Sequence, residues 1–491
     1  MQQWIEEELG TSDCGDERLD IRYRRVLDDL SQRPSASIPV ACGGWSETQA
    51  AYRFFANERV DYEEVLNPHQ DATLERIGAH RVVLFVQDTT EIDVTRPERK
   101  MKGAGPLNDE SQWGFNNHAM LALTPEHIPL GVIDAHIWAR DVDEFRAYQK
   151  EKERDPRARE KKKRERPIEE KESLRWLAGY WRGCEVAEQV PETTIVVVSD
   201  SEGDIFECFE DTSQNEKTAE WIIRACQDRR IRNKRRGTAD KKLWEKLRSS
   251  PVLGTMEVEV SKNTPKLKRK RNQPRSPRIA TLTIRATRVK LRGPQRAGGH
   301  LADVDVNAIL VREKNPPKGE EPIEWLLLTS LPIKTFKQVC KVIEYYTCRW
   351  QIEIYFRVLK SGCKVEERQF EDASRYLPCL ALYMVVAWRV MYVMMLGREY
   401  PEMSCEDVFS EDEWKAVYMV SQKEAPPNKP PTLEDIIYMI ATLGGHLGRT
   451  HDDRPGPKTM WVGMQRMMDL ALAWRTFGPS NSARKKRKKR V

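Results

Sequence analysis

Tyr346, Arg349, Glu353 and Lys360 lie in the stretch EYYTCRWQIEIYFRVLK, Glu344 to Lys360. Read as a helix at ~100° per residue, these four fall within ~60° of one another. One carboxylate bracketed by two cations and a phenol suits a divalent-cation ligand flanked by groups that grip phosphate. The same spacing suits a solvated face carrying local Arg–Glu and Glu–Lys pairs. Two further acids bear on the choice. Asp88 follows the apolar run Arg81–Gln87 (RVVLFVQ), and Asp200 follows Thr194–Val198 (TIVVV) and Ser199. Both runs read as buried strands, and in open α/β sheets the ends of such strands form the ligand crevice. Two strand-end aspartates and one helical glutamate can hold a pair of Mg²⁺ ions for phosphoryl transfer. Each acid alone is also explained as a turn former or surface charge, so the combination carries the inference.

The elements that must position these acids are of several kinds. Residues 1–78 read as helical, with an amphipathic helix over Asp16–Leu30 and two more over Ser46–Phe55, capped by Ser46, and Tyr62–Ile77. Such a basic bundle fits DNA contact, and equally a protein-docking cap. Strands are expected at His118–Leu123 and Leu130–Trp138 around a turn at Pro125 and His127, before a charged stretch, Arg140–Ser173, read as an exposed helix or loop. Between Asp200 and Glu353 the chain is far longer than one connection needs. Glu220–Cys226, Gly254–Val260, Ile279–Val289, Val304–Val311 and Trp325–Thr329 alternate or run apolar, which predicts a β-rich insertion over about residues 215–322. Beside the cation stripe, Tyr345, Cys348, Ile352, Phe356 and Leu359 form an apolar stripe fit for burial, with Gly362 to stop the helix. Leu377–Leu396 is apolar enough to suggest a membrane span, but Arg389 lies inside it and a core helix is expected. Helices over Cys405–Val420, Leu433–Leu443 and Met460–Trp474 follow. The last carries a Met464, Met467, Met468, Leu472 stripe suited to core or to a dimer face.

Composition narrows the partners. Lys and Arg number 82 against 76 Asp and Glu, so the net charge of +6 says little, but the basic residues cluster at Lys161–Arg166, Arg229–Arg236, Lys266–Arg271 and Arg484–Arg490. Such clusters, with the loop Pro265–Arg278, suit a polyanion backbone. The ten cysteines stand singly, without metal-ligand spacing, which predicts reduced thiols in a cytosolic protein and no structural zinc. The opening MQQWIEEELG is acidic and lacks an apolar core, so neither a secretory signal nor a membrane partner is expected.

The pattern Tyr346-xx-Arg349-xxx-Glu353-xxxxxx-Lys360 resembles the Y–R–E–K signature of DDE transposases of the insertion-sequence-four family, which includes the Tn-five transposase. Gln87-Asp88-Thr89-Thr90 and Val198-Ser199-Asp200-Ser201-Glu202-Gly203-Asp204-Ile205 resemble the family's two aspartate strand ends. Trp325–Ser330 resembles the strand before the signature helix. Ala51-Tyr52-Arg53-Phe54-Phe55 resembles the end-binding domain, and Leu443–Gly448 with Trp461-Val462-Gly463 the C-terminal region. In all, the resemblance spans about residues 12–475. Two positions depart from the family, Ser201 where arginine often follows the second aspartate, and Asp453 where glycine is usual.

The resemblance implies an α/β ribonuclease-H-like catalytic domain, a mixed sheet flanked by helices, over residues 79–214 and 323–400. A β-rich insertion (215–322), a helical end-binding domain (1–78), a helical dimerisation region (401–478) and a basic tail (479–491) complete the expected chain. It implies that Asp88, Asp200 and Glu353 are catalytic and bind two Mg²⁺ ions, with Mn²⁺ able to substitute. Tyr346, Arg349 and Lys360 would hold phosphates, Trp325 would stack on a flipped base, Trp350 would assist, and Arg53 would contact the end. The implied activity is cut-and-paste transposition through a hairpin by a homodimer pairing two inverted-repeat ends before joining target DNA, in a bacterial, nucleoid-associated setting. A metal-dependent nuclease or resolvase on the same fold, and a domesticated DNA-binding protein, are the alternatives.

Overall fold

The computed structural model describes residues 2–96, 99–109, 111–155, 166–214, 219–232, 241–260, 275–296, 299–449 and 452–478. The clusters Lys266–Arg271 and Arg484–Arg490, most of Lys161–Arg166 and of Pro265–Arg278, and part of Arg229–Arg236 lie outside the described residues. The longer strands in chain order are β1 (Val82–Asp93), β2 (Trp113–Leu123), β3 (Pro129–Trp138), β4 (Thr194–Ser199), β5 (Glu220–Arg224), β6 (Gly254–Val260), β7 (Arg278–Leu291), β8 (Val304–Glu313) and β9 (Glu324–Thr329). The chain divides into two compact units, one of Met1–His80, Thr89–Ala147 and Trp350–Val491, the other of Arg81–Asp88 and Tyr148–Arg349.

The second unit is built on a mixed sheet flanked by helices. Residues 82–86 of β1 pair parallel with β4, from Val82↔Thr194 to Val86↔Val198, and β4 pairs parallel with β5, from Val196↔Glu220 to Ser199↔Ile223. Beyond β5 the order is β9, β8 and β7, all antiparallel, with β6 also on β7. The strands expected in an insertion therefore extend the sheet that carries Asp200. Val83–Val86 and Ile195–Val198 are buried on both faces, which is why they read as unbroken apolar runs. The helix Leu174–Gln189 packs on β4, and Gly183 permits the approach, since a Cβ there would meet Val197 Cγ2 at 2.5 Å.

In the first unit, residues 89–93 of β1 form a meander with β2 and β3. The core element is the helix Ala373–Glu399, whose most apolar window is 89% buried, so the run that suggested a membrane span is covered by protein. It packs against β3 and the helices Glu17–Gln32 and Tyr62–Gly78. A buried polar network ties the N-terminus to this core. Arg76 donates to both oxygens of Glu8, His69 Nδ1 bonds Glu8, and His69 Nε2 accepts from Val132 N of β3 at 2.9 Å. The acceptor role of Nε2 fixes His69 as the neutral Nδ1–H tautomer. The helices Glu411–Gln422, Leu433–Leu443 and Pro457–Phe477 close the unit. Met467 and Met468 of the expected stripe are core, whereas Leu472 is 55% exposed.

Three local expectations are corrected. β1 does not end at Asp88 but continues through Thr89, Thr90 and Ile92 to Asp93, because this β-branched segment has its own partner in β2. Gly44, not Ser46, caps the helix Trp45–Phe55, and Ser46 Oγ instead donates to Glu47. Glu344–Lys360 is not one helix. The helix Phe336–Thr347 tightens at its end, where Cys348 N and Arg349 N donate three residues back to Tyr345 O and Tyr346 O, and a second helix runs Trp350–Arg357. Val358–Gly362 then widens into a π turn, closed by Cys363 N donating to Val358 O.

Candidate active site

Parallel pairing brings the two aspartates into line. Extending the β1–β4 ladder two residues beyond Val86↔Val198 sets Asp88 beside Asp200, on strands ~4.8 Å apart. Extending the β4–β5 ladder one residue beyond Ser199↔Ile223 sets Asp200 beside Arg224. Asp88 and Asp200 thus each stand two residues past the last β1–β4 pair, and Asp200 and Arg224 each one residue past the last β4–β5 pair. The Asp200 carboxylate accepts from Glu202 N at 2.7 Å, capping the short 3₁₀ turn Ser201–Gly203.

The helix Phe336–Thr347 supplies the next layer. Arg349 Nη1 donates to Asp88 Oδ2 at 3.2 Å, and the two side chains are 7% and 18% exposed. Tyr346 is buried, its ring edge-on to Trp325 with centroids 5.6 Å apart. Burial pushes its phenol above the ordinary tyrosine range, against the pull of Arg224 and Arg349, while the Asp200 charge adds to the rise. Arg224 was not anticipated from the sequence, yet EWIIR ends on a charge just as the strands before Asp88 and Asp200 do.

Asp204 fastens the turn after Asp200 to the chain after Arg224. Its side chain is fully buried and accepts from Cys226 N and Gln227 N, each at 2.8 Å, and from Arg229 Nε at 3.1 Å and Nη2 at 2.6 Å. A carboxylate holding two backbone amides and a fork of guanidinium N–H groups is a rigid clip.

The remaining candidates belong to the first unit. Glu353 is an exposed residue of the helix Trp350–Arg357, and Trp350 opens that helix 46% exposed. Lys360 lies in the π turn, where its ammonium donates to Glu91 O at 2.7 Å and pairs with Glu366 Oε1 at 2.9 Å. Glu366 also accepts from Asp93 N at 3.0 Å, so Lys360 is tied to the far half of β1. Arg53 is exposed on the helix Trp45–Phe55. The second unit therefore carries Asp88, Asp200, Trp325, Tyr346 and Arg349 together with Arg224, and the first carries Glu353, Trp350, Lys360 and Arg53. Among the described residues no cluster of three or more His, Cys, Asp or Glu side chains could hold a metal ion.

Comparison with known families accounts for most of the chain. Residues 1–60 match the model for transposase DNA-binding, residues 135–375 that for the transposase DDE domain, and residues 385–477 that for the transposase Tn5 dimerisation domain. The DDE-domain match takes in Asp200, Arg224, Trp325, Tyr346, Arg349, Glu353 and Lys360, and starts after Asp88. A solved cryo-EM structure of the piggyBac transposase synaptic complex with hairpin DNA is 9% identical, with 97% of this chain and 78% of that chain covered at a TM-score of 0.35.

Proposed function

Because the chain belongs to the Tn5-like DDE transposases, we propose that it cuts and pastes DNA, with Asp88, Asp200 and Glu353 as its catalytic triad on a ribonuclease-H-like domain. The observation that carries the reading is the parallel pairing of β1, β4 and β5 just before Asp88, Asp200 and Arg224, with Arg349 bonded to Asp88.

DDE transposase domains use divalent metal ions, and the donor set in the second unit fits such an ion. Asp88 and Asp200 present hard carboxylate oxygens from neighbouring strands, and Asp88 already carries a cationic partner in Arg349. Glu353 is the third proposed ligand, and we assign Mg²⁺, replaceable by Mn²⁺, as a pair of ions. Bound there, the ions supply activation of the attacking oxygen and stabilisation of the leaving one. Arg224 and Arg349 offer charge-assisted N–H donors to non-bridging phosphate oxygens. Trp325 offers a ring on which an extruded base can stack. Lys360, braced by Glu91 and Glu366, supplies a further cation.

The sequence of reactions follows from one kind of step. Water attacks phosphorus at the transposon end and frees a 3′-OH. That 3′-OH attacks the opposite strand to give a hairpin, a second water reopens it, and the same 3′-OH joins target DNA. Each step is an in-line displacement in which one P–O bond forms and another breaks. The helical region of residues 1–78, with Arg53, would read the inverted-repeat ends, residues 401–478 would pair two protomers on two ends, and the complex would work on nucleoid DNA.

The test uses DNA bearing the gene's own flanking sequences, Mg²⁺ and denaturing gels, with Glu353→Gln as control. End-specific nicks and hairpins, reduced at least a thousandfold in Glu353→Gln with end binding retained, are the expected result. Indiscriminate cutting would instead indicate a nuclease or resolvase. Binding without cutting would indicate a DNA-binding protein that has lost its chemistry.

A further inference from the structure

The apolar runs leading to Asp88 and Asp200 both turn polar one residue early. Gln87 is 1% exposed and Ser199 is 2% exposed. Side chains alternate along a strand, so these two project to the face opposite the carboxylates. There Gln87 Nε2 donates to Ser199 Oγ at 2.9 Å and to Trp176 O, on the helix Leu174–Gln189, at 3.3 Å. Gly203, from the turn that Asp200 caps, closes over the hydroxyl: a Cβ at Gly203 would meet Ser199 Cβ at 2.7 Å and Oγ at 3.3 Å. The rest of the enclosure is core, including Tyr180, Val197, Cys208 and Trp221.

Stability alone does not call for a polar pair in such a place, because replacing both partners of a buried hydrogen bond by apolar groups of similar shape is close to neutral. What an apolar pair lacks is direction. A hydrogen bond between neighbouring strands, shared with a helix carbonyl, fixes how far one strand is staggered against the other. Each partner is one peptide, ~3.8 Å, from a carboxylate-bearing Cα. A shift of stagger is therefore passed directly to the carboxylates, and reactive constellations tolerate only ~0.5 Å of such drift.

We propose that Gln87 and Ser199 are positioning residues whose hydrogen bond, anchored on Trp176 O, sets the spacing and direction of Asp88 and Asp200 as a paired ligand site. The inference rests on the reading of those aspartates as metal ligands. It concerns side chains that touch neither substrate nor metal.

The test is Mn²⁺ binding to the full-length protein, followed through the electron-spin resonance of free Mn²⁺, for wild type, Asp88→Asn, Gln87→Met, Ser199→Ala and the double variant Gln87→Met/Ser199→Ala. Thermal midpoints, end-DNA affinity and the Mn²⁺ dependence of end cleavage are measured alongside. We expect the double variant to keep the wild-type midpoint within a few degrees and the same affinity for end DNA. Its Asp88-dependent Mn²⁺ affinity should fall at least fivefold, with the Mn²⁺ concentration for half-maximal cleavage rising by the same factor. Gln87→Met alone, which leaves the Ser199 hydroxyl without its donor, should lower both the midpoint and the affinity. A double variant with wild-type Mn²⁺ affinity would overturn the proposal while leaving the metal-site reading intact, and so would one that lost midpoint without losing affinity. Wild-type protein whose Mn²⁺ binding is unaffected by Asp88→Asn would overturn both.

Discussion

Replacing Asp204 by asparagine tests whether the strand ends at Asp200 and Arg224 depend on the clip that joins them. The carboxylate now serves Cys226 N and Gln227 N with Oδ2 and the Arg229 fork with Oδ1. Asparagine keeps the shape but turns one oxygen into an NH₂ donor. Whichever way the amide is turned, that donor faces either two backbone amides or a guanidinium. Removing one partner of a buried ion pair costs about 3–5 kcal/mol. Arg229 keeps its bond to Asp204 O at 2.7 Å and stays within 5.6 Å of the Phe206 and Phe209 ring centres, so the lower end of that range, about 3 kcal/mol, is the value to expect. Arg229→Met should cost less, about 1–2 kcal/mol, because the carboxylate then keeps its two amide donors. Urea unfolding followed by tryptophan fluorescence gives both numbers. The expected order is Asp204→Asn more damaging than Arg229→Met, with end cleavage falling in the same order. The reverse order, or an Asp204→Asn loss under about 1 kcal/mol, would refute the clip.

Acid should destabilise the first unit. Burial depresses His69 below the usual histidine range, and although burial opposes it, the hydrogen bonds from His69 and Arg76 and the Arg76 charge lower Glu8. Both folded-state values lie below the unfolded ones, so the stability these groups contribute is complete above the ordinary histidine value and is lost as pH falls. Thermal midpoints should therefore drop from pH 7 towards pH 5, first as the unfolded state takes up the His69 proton and further as Glu8 follows; His69→Gln should flatten the first part. A Cβ on Gly463 would meet Ile440 O at 1.9 Å, so Gly463→Ala should force apart the helices Leu433–Leu443 and Pro457–Phe477. A cost of about 1–3 kcal/mol and weaker self-association in sedimentation are expected. Trp325→Ala should slow hairpin formation roughly tenfold, by loss of about 1–3 kcal/mol of stacking, with first-strand nicking less affected; Trp325→Phe should recover most of the hairpin rate in single-turnover assays.

Much of this was legible because the central strands are buried on both faces. RVVLFVQ and TIVVV read as buried strands, the first ending next to Asp88 and the second one residue before Asp200. What followed Asp88 was harder. Thr-Thr-Glu-Ile-Asp is polar enough to pass for a loop, and only its pairing with a strand more than twenty residues on makes it the second half of β1. The break at Cys348–Arg349 has no glycine or proline to announce it, so an apolar stripe drawn at a constant angle runs straight through. The single helical register assumed for Tyr346, Arg349, Glu353 and Lys360 is therefore not the one the chain adopts. Arg224 was missed because its strand was assigned to an insertion. Strand order depends on contacts distant in sequence, and periodicity carries no information about them.

The order β1–β4–β5 explains why a base follows two acids. Two carboxylates side by side repel, and partial burial strengthens that repulsion. The chain offsets it from two directions, with Arg349 on Asp88 from the helix and Arg224 next to Asp200 from the adjoining strand. The four groups sum to zero formal charge. A phosphodiester alone would leave the cluster net negative and a divalent cation alone net positive, and each offsets part of the charge that the other brings. The tyrosine between them suits this balance. Buried and pushed above its ordinary range, Tyr346 stays a neutral phenol and adds no charge. Replacing either arginine by a neutral residue would shift that balance toward the cation, and replacing either aspartate would shift it toward phosphate.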